Sequence, residues 1–163
     1  MVQDPDHSFD PNDGFSNLHQ IHLSATAYLR IAMPPEAVSD PGVDLDIFVY
    51  DPIGNRVATS INGGTDELIN IEFPMDGLWS VYVHGWQTNG PSTDYDMYAW
   101  TISVLPGGNL TIDSAPTSAA IGTAETIDVS WTGATAGEWH LGAVSHIGDT
   151  GLMGLTLIDA DNR

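Results

Sequence analysis

Apolar residues in this chain recur in short runs of β-branched and aromatic side chains, cut every few positions by clusters of Gly, Pro, Asn and Asp. Period-two patterning with frequent breaks cannot build long amphipathic helices, so the chain is restricted to short, mostly antiparallel strands. The only helix-like stretch is a turn around residues 35–38.

The strand-like runs fall at residues 20–33, 45–50, 56–60, 68–73, 79–84 and 95–104. Asp51-Pro52-Ile53-Gly54-Asn55 is a tight-turn sequence, because Pro presets φ while Gly and Asn accept positive φ, and it predicts a hairpin over residues 47–60. Asp76-Gly77 predicts a second turn between Phe73 and Trp79. Alternation places Ile69, Ile71 and Phe73 on one face with Asn70 and Glu72 opposite, and it places Trp79, Val81 and Val83 toward the core.

At Leu105-Pro106-Gly107-Gly108 the chain breaks, and beyond it the composition turns to Ala, Thr, Ser and Gly. Four more runs follow at 109–113, 125–131, 138–145 and 152–158. The expected organisation is a linker or irregular cap over 1–17, an antiparallel, jelly-roll-like β-sandwich over 18–106, and a small fibronectin- or Ig-like β unit over 107–163 packed on the first. Four strands are few for a closed sandwich, so the second unit either covers its open face with the first or borrows a strand from the N-terminal segment.

The 163 residues are 42% hydrophobic, enough to bury a core. Arg30, Arg56 and Arg163 are the only basic residues besides histidine, against 22 Asp and Glu, giving a formal charge of −19. Such a surface repels phosphate backbones and anionic lipid, which excludes nucleic acid and membrane surfaces as partners and suits either a salt-rich or calcium-rich setting outside the cell or simple solubility. Cysteine is absent, removing disulfides, thiolate zinc sites and cysteine nucleophiles. No apolar run is long enough to span a membrane, and the first residues lack a signal-peptide pattern, so any export signal lies outside these residues.

Several ordered blocks carry a resemblance. Asp44-Leu45-Asp46-Ile47-Phe48-Val49-Tyr50-Asp51-Pro52-Ile53-Gly54-Asn55, then Asp66-Glu67, then the run from Gly77 to Trp86, resemble the region that follows the catalytic domain in bacterial secreted subtilases, related to the pre-peptidase C-terminal domains. Asn109-Leu110-Thr111, Val129-Ser130-Trp131-Thr132-Gly133 and Leu141-Gly142-Ala143-Val144-Ser145-His146 resemble a fibronectin-like segment that continues it. Trp139-His140 before Leu141-Gly142, and Pro34-Pro35-Glu36 ahead of the first block, depart from the pattern. The resemblance implies a secreted, non-catalytic accessory region of a subtilisin-like serine protease. Its partners would be the parent's catalytic domain and a protein or polysaccharide substrate.

Read from the residues alone, catalysis lacks its context. There is no Gly-x-Ser-x-Gly elbow and no nucleophile turn opening a helix, and the remaining candidates are coincidental, His84 on a strand-like run and His146 after Ser145. Calcium is the candidate cofactor, with Asp40, Asp44, Asp46, Asp94 and Asp96 as candidate ligands. Asp44 and Asp46 lie two apart on a strand, so like charges share a face and need water or a cation between them, unless that strand end is simply solvated. Asp10-Pro11-Asn12-Asp13-Gly14 has the wrong spacing for an EF-hand, and His19 and His22 face opposite sides of a strand. Tyr82, His84 and Trp86, with Tyr95 near in sequence, are the candidate ligand-binding residues. They define either a binding face for polysaccharide or insoluble protein, which would make the chain an independent extracellular binding module, or a face that packs on the second unit.

Overall fold

The computed structural model describes residues 1–38 and 40–163 and divides them into two compact units, Met1–Val104 and Leu105–Arg163. All regular structure is antiparallel β except one 3-10 turn, Pro35–Ala37. The described residues contain no helix long and apolar enough to cross a membrane.

In the first unit the strands are β1 (Ser16–Leu23), β2 (Thr26–Met33), β3 (Asp44–Tyr50), β4 (Arg56–Ser60), β5 (Glu67–Glu72), β6 (Gly77–Gln87) and β7 (Tyr98–Ser103). They form a four-stranded sheet, β1-β6-β3-β4, and a three-stranded sheet, β5-β2-β7. Leu29, Ile31 and Met33 of β2 meet Leu45, Ile47 and Val49 of β3 and Trp79, Val81 and Val83 of β6 in one buried core. Burying a fully enclosed aliphatic chain contributes roughly 1.5–3 kcal/mol, so these positions hold the sandwich together.

The hairpin predicted over residues 47–60 forms, with Ile47 opposite Ser60. Asp51 closes its turn by accepting from the backbone N–H groups of Ile53 (3.0 Å) and Asn55 (2.8 Å) and from the Asn55 side chain.

Two readings of the pattern change. The run over 20–33 is two strands, because the chain turns at Ser24-Ala25, with Ala25 at φ 49°, and passes from one sheet to the other. Core-facing residues keep odd numbers on both sides of this corner, through Ile21, Leu23, Ala27 and Leu29, so alternation carries no sign of it. Asp76-Gly77 likewise joins two sheets rather than closing a hairpin. Phe73 sits at φ 47° where β5 ends, which turns its ring out to 49% exposure, and the buried residue in register with Ile69 is Glu67. One hydrogen bond ties the two corners: the Ala25 N–H donates to the Asp76 carboxylate (2.8 Å).

The second unit has β8 (Leu110–Ser114), β9 (Asp128–Trp131), β10 (Trp139–Gly148) and β11 (Gly151–Asp161). They pair as β8-β9 and β10-β11, a small Ig-like β unit. Leu110 and Trp131 reach Gly142 so closely that a Cβ there would lie 2.8 Å from Leu110 and 3.1 Å from the indole of Trp131.

Candidate functional site

The outer face of the four-stranded sheet carries the unit's densest group of aromatic and ionisable side chains. With Val81 and Val83 buried in the core, the pleat sends Tyr82, His84 and Trp86 of β6 outward, and register sets Asp46 opposite His84 and Phe48 opposite Tyr82.

Residues 1–15 form a strap across this face. The strap passes the rim of β6 at Gly85, where Asp4 N–H donates to the Gly85 carbonyl (2.7 Å) and Gly85 N–H donates to that of Phe15 (3.2 Å). A Cβ on Gly85 would stand 2.2 Å from the carbonyl oxygen of Val2, so only glycine lets the backbones approach this closely. Farther along, Phe9 stacks on Phe48 with ring centroids 3.8 Å apart and packs edge-on against Tyr82 and His84. His7 donates from Nδ1 to the Trp86 carbonyl (2.6 Å).

His84 is fully buried between two carboxylates, with Nε2 2.9 Å from Asp4 and Nδ1 3.3 Å from Asp46. Burial alone would push its pKa down, but the hydrogen bonds and charges of Asp46 and Asp4 outweigh it and hold the imidazolium above its ordinary value. Burial pushes Asp4 up, yet His84 and the backbone N–H groups of Asp6 and Ser8 lower it to about 2. Glu67, on β5, is pushed up to about 7, chiefly by burial, with the charges of Asp46 and Asp44 adding to it. The group can act as a charge-assisted clamp between strap and sheet. In a serine hydrolase one imidazole nitrogen faces the nucleophile, whereas here both face carboxylates. His146 and Ser145 are neighbours on β10, so their side chains point to opposite faces, and His146 Nε2 meets Thr156 Oγ1 at 2.7 Å.

The candidate ligand-binding residues do not stay together. Tyr82, His84 and Trp86 share the strapped face, and the cover seen over it is the N-terminal strap. Tyr95 packs against the core, its hydroxyl bonded to His19 Nε2 (2.7 Å) and Asn17 Nδ2 (3.1 Å) of β1. Of the candidate calcium ligands, Asp40, Asp94 and Asp96 are exposed and Asp44 is half-buried. Burial raises the pKa of Asp44, helped by the charge of Asp46 and opposed by the Gly64 N–H and by His84. Asp46 finds an imidazole as its partner. Among the described residues no group of three or more His, Asp or Glu side chains is placed to hold a metal ion.

Sequence reading missed Phe9 and Gly85, and it grouped Asp4 with Asp6, Asp10 and Asp13 without singling it out. The available signal was a phenylalanine at position 9 among polar neighbours, and it did not say which face that ring would meet.

No protein-family model matches the chain. It is similar to pyrolysin of Pyrococcus furiosus, with 33% identity over 93 residues, which make up 54% of this chain and 6% of that protein. The likeness links the chain to subtilase-type proteins, over a segment that is a small fraction of the relative's length.

Proposed function

We propose that the chain is a non-catalytic accessory β region of a secreted subtilisin-like serine protease whose catalytic domain lies outside these residues. It would assist that enzyme in engaging substrate, in stability or in secretion. The observation that carries this reading is the likeness to a stretch amounting to 6% of pyrolysin. The engagement of both His84 nitrogens by carboxylates supports it from the chemical side. The purified chain is expected to show no casein or peptide cleavage in a sensitive assay; turnover abolished by a serine-directed inhibitor would overturn the reading.

A second reading, an independent extracellular module for polysaccharide or insoluble protein, draws on Trp86, which stands 40% exposed at the rim of the strapped face. Retention on chitin, cellulose, collagen or elastin that is lost in Trp86→Ala would promote it over the first.

A further inference from the structure

The strap and the sheet are joined at a buried point whose bonding depends on one proton. Asp4 comes from the strap, Asp46 from a strand paired on both sides, and His84 stands between them. A neutral imidazole has a single N–H, so both bonds exist together only when the ring carries two protons. Loss of one leaves two carboxylates with one donor between them in a site closed to water, where repulsion is poorly screened. Asp46 is held in the β3–β6 ladder opposite His84, whereas residues 4–9 belong to no ladder, so the strap is the side that gives way.

We propose that residues 4–9 are a pH-gated cover. Protonated His84 clamps them over the aromatic face of the four-stranded sheet, and its deprotonation as pH rises lets them lift and bare Phe48, Tyr50, Tyr82 and Trp86.

The surrounding groups act in a consistent sense. Asp44, two residues before Asp46 on β3, adds negative charge that favours the imidazolium, and Glu67 of β5 lies in the field of Asp46 and Asp44. From the strap, His7 lies against Trp86 and Phe9 against the His84 ring, while Asp6 and Asp10 are exposed. Arg56 of β4 sits over Phe48, 5.8 Å from the ring centroid, and β1 places Ser16 opposite His84.

The direction with pH follows from the two shifts. His84 is raised from 6.5, so its contribution is complete below 6.5 and is lost as pH climbs through the raised value. Asp4 is lowered from 3.8 to about 2, so its contribution is present above 3.8 and is lost as pH falls through about 2. The clamp is therefore tightest between those ordinary values, in mildly acidic solution.

Amide exchange of the full chain, read by NMR at about pH 6 and about pH 9 and corrected for base-catalysed intrinsic rates, tests this. The N–H groups of Asp6 and Ser8, which donate to the Asp4 carboxylate, are expected to lose protection about tenfold, while those of β2 keep theirs. Asp46→Asn keeps ring and strap and moves the loss to lower pH; His84→Gln shows weak protection at both values; Glu67→Gln leaves the transition in place. Equal strap protection at both pH values in the wild type, parallel loss in β2, an unmoved transition in Asp46→Asn, or its disappearance in Glu67→Gln would each overturn the proposal.

Discussion

The two units solve the same problem with unequal means. Among the described residues the first unit buries seventeen apolar side chains, thirteen of them in one core cluster, whereas in the second Val144 alone is so enclosed. The difference lies in layering: seven strands in two sheets put every inward position under a roof, while two separate ladders of two strands leave most positions half open. Enclosure also decides what a polar group can do. Glu67 in the first unit is 1% exposed and is driven to about 7, whereas Asp161 in the second is exposed and lies at about 2, chiefly through its hydrogen bonds from Arg163.

The sharpest test of that contrast uses the two glycines at close approaches. Gly85→Ala would drive a Cβ into backbone, the Val2 carbonyl, and is expected to cost about 3 kcal/mol or dislodge the strap. Gly142→Ala meets only the ends of the Leu110 and Trp131 side chains, which can turn aside, and is expected to cost about 1 kcal/mol. Equal losses in denaturant unfolding would break the distinction between an enclosed and an open unit.

Carboxylate exchanges sharpen it further. Glu67 is protonated in the folded chain up to about pH 7 but releases its proton near 4.5 when unfolded, so its burial removes stability as pH rises between those values. Glu67→Gln is therefore expected to stabilise the chain by about 2 kcal/mol at pH 8 and to change little below pH 4.5. Asp161→Asn is expected to leave the unfolding midpoint nearly unchanged, because water and salt screen an exposed pair. A stabilisation at Glu67 that does not depend on pH would show that shape, not charge, is responsible.

The smallest effect is expected from calcium. With Asp46 bonded to His84, thermal midpoints in millimolar calcium and in EDTA at matched ionic strength should coincide. A midpoint that climbs with the logarithm of calcium concentration would instead assign Asp44 and Asp46 to a cation.

What the sequence disclosed follows from the range of the forces involved. Class, hairpin turn and the core face of β6 were legible, because alternation and turn chemistry act over a few residues. The corners at Ala25 and Phe73 were not, because alternation runs straight through the first and a φ of 47° at a phenylalanine has no local signature. The clamp was hidden for a related reason. Asp4 and His84 are eighty positions apart, and Asp4 sits among acidic neighbours that look equally solvated until one of them is placed on the imidazole. Asp44 and Asp46 were read as sharing a face with water or a cation between them, whereas the counter-charge to Asp46 is a histidine on the adjoining strand.

The bond between Ala25 and Asp76 also bears on how such a domain can lengthen. Because one carboxylate joins two of the places where the chain changes sheet, β1 to β2 and β5 to β6, an added residue at either corner would disturb the other, and neither can drift alone. At the β3–β4 tip Pro52 packs against Gly77 of the second corner while Ile53 points into solvent, so insertions and grafted loops can accumulate around Ile53 and Gly54 while the sandwich is inherited intact.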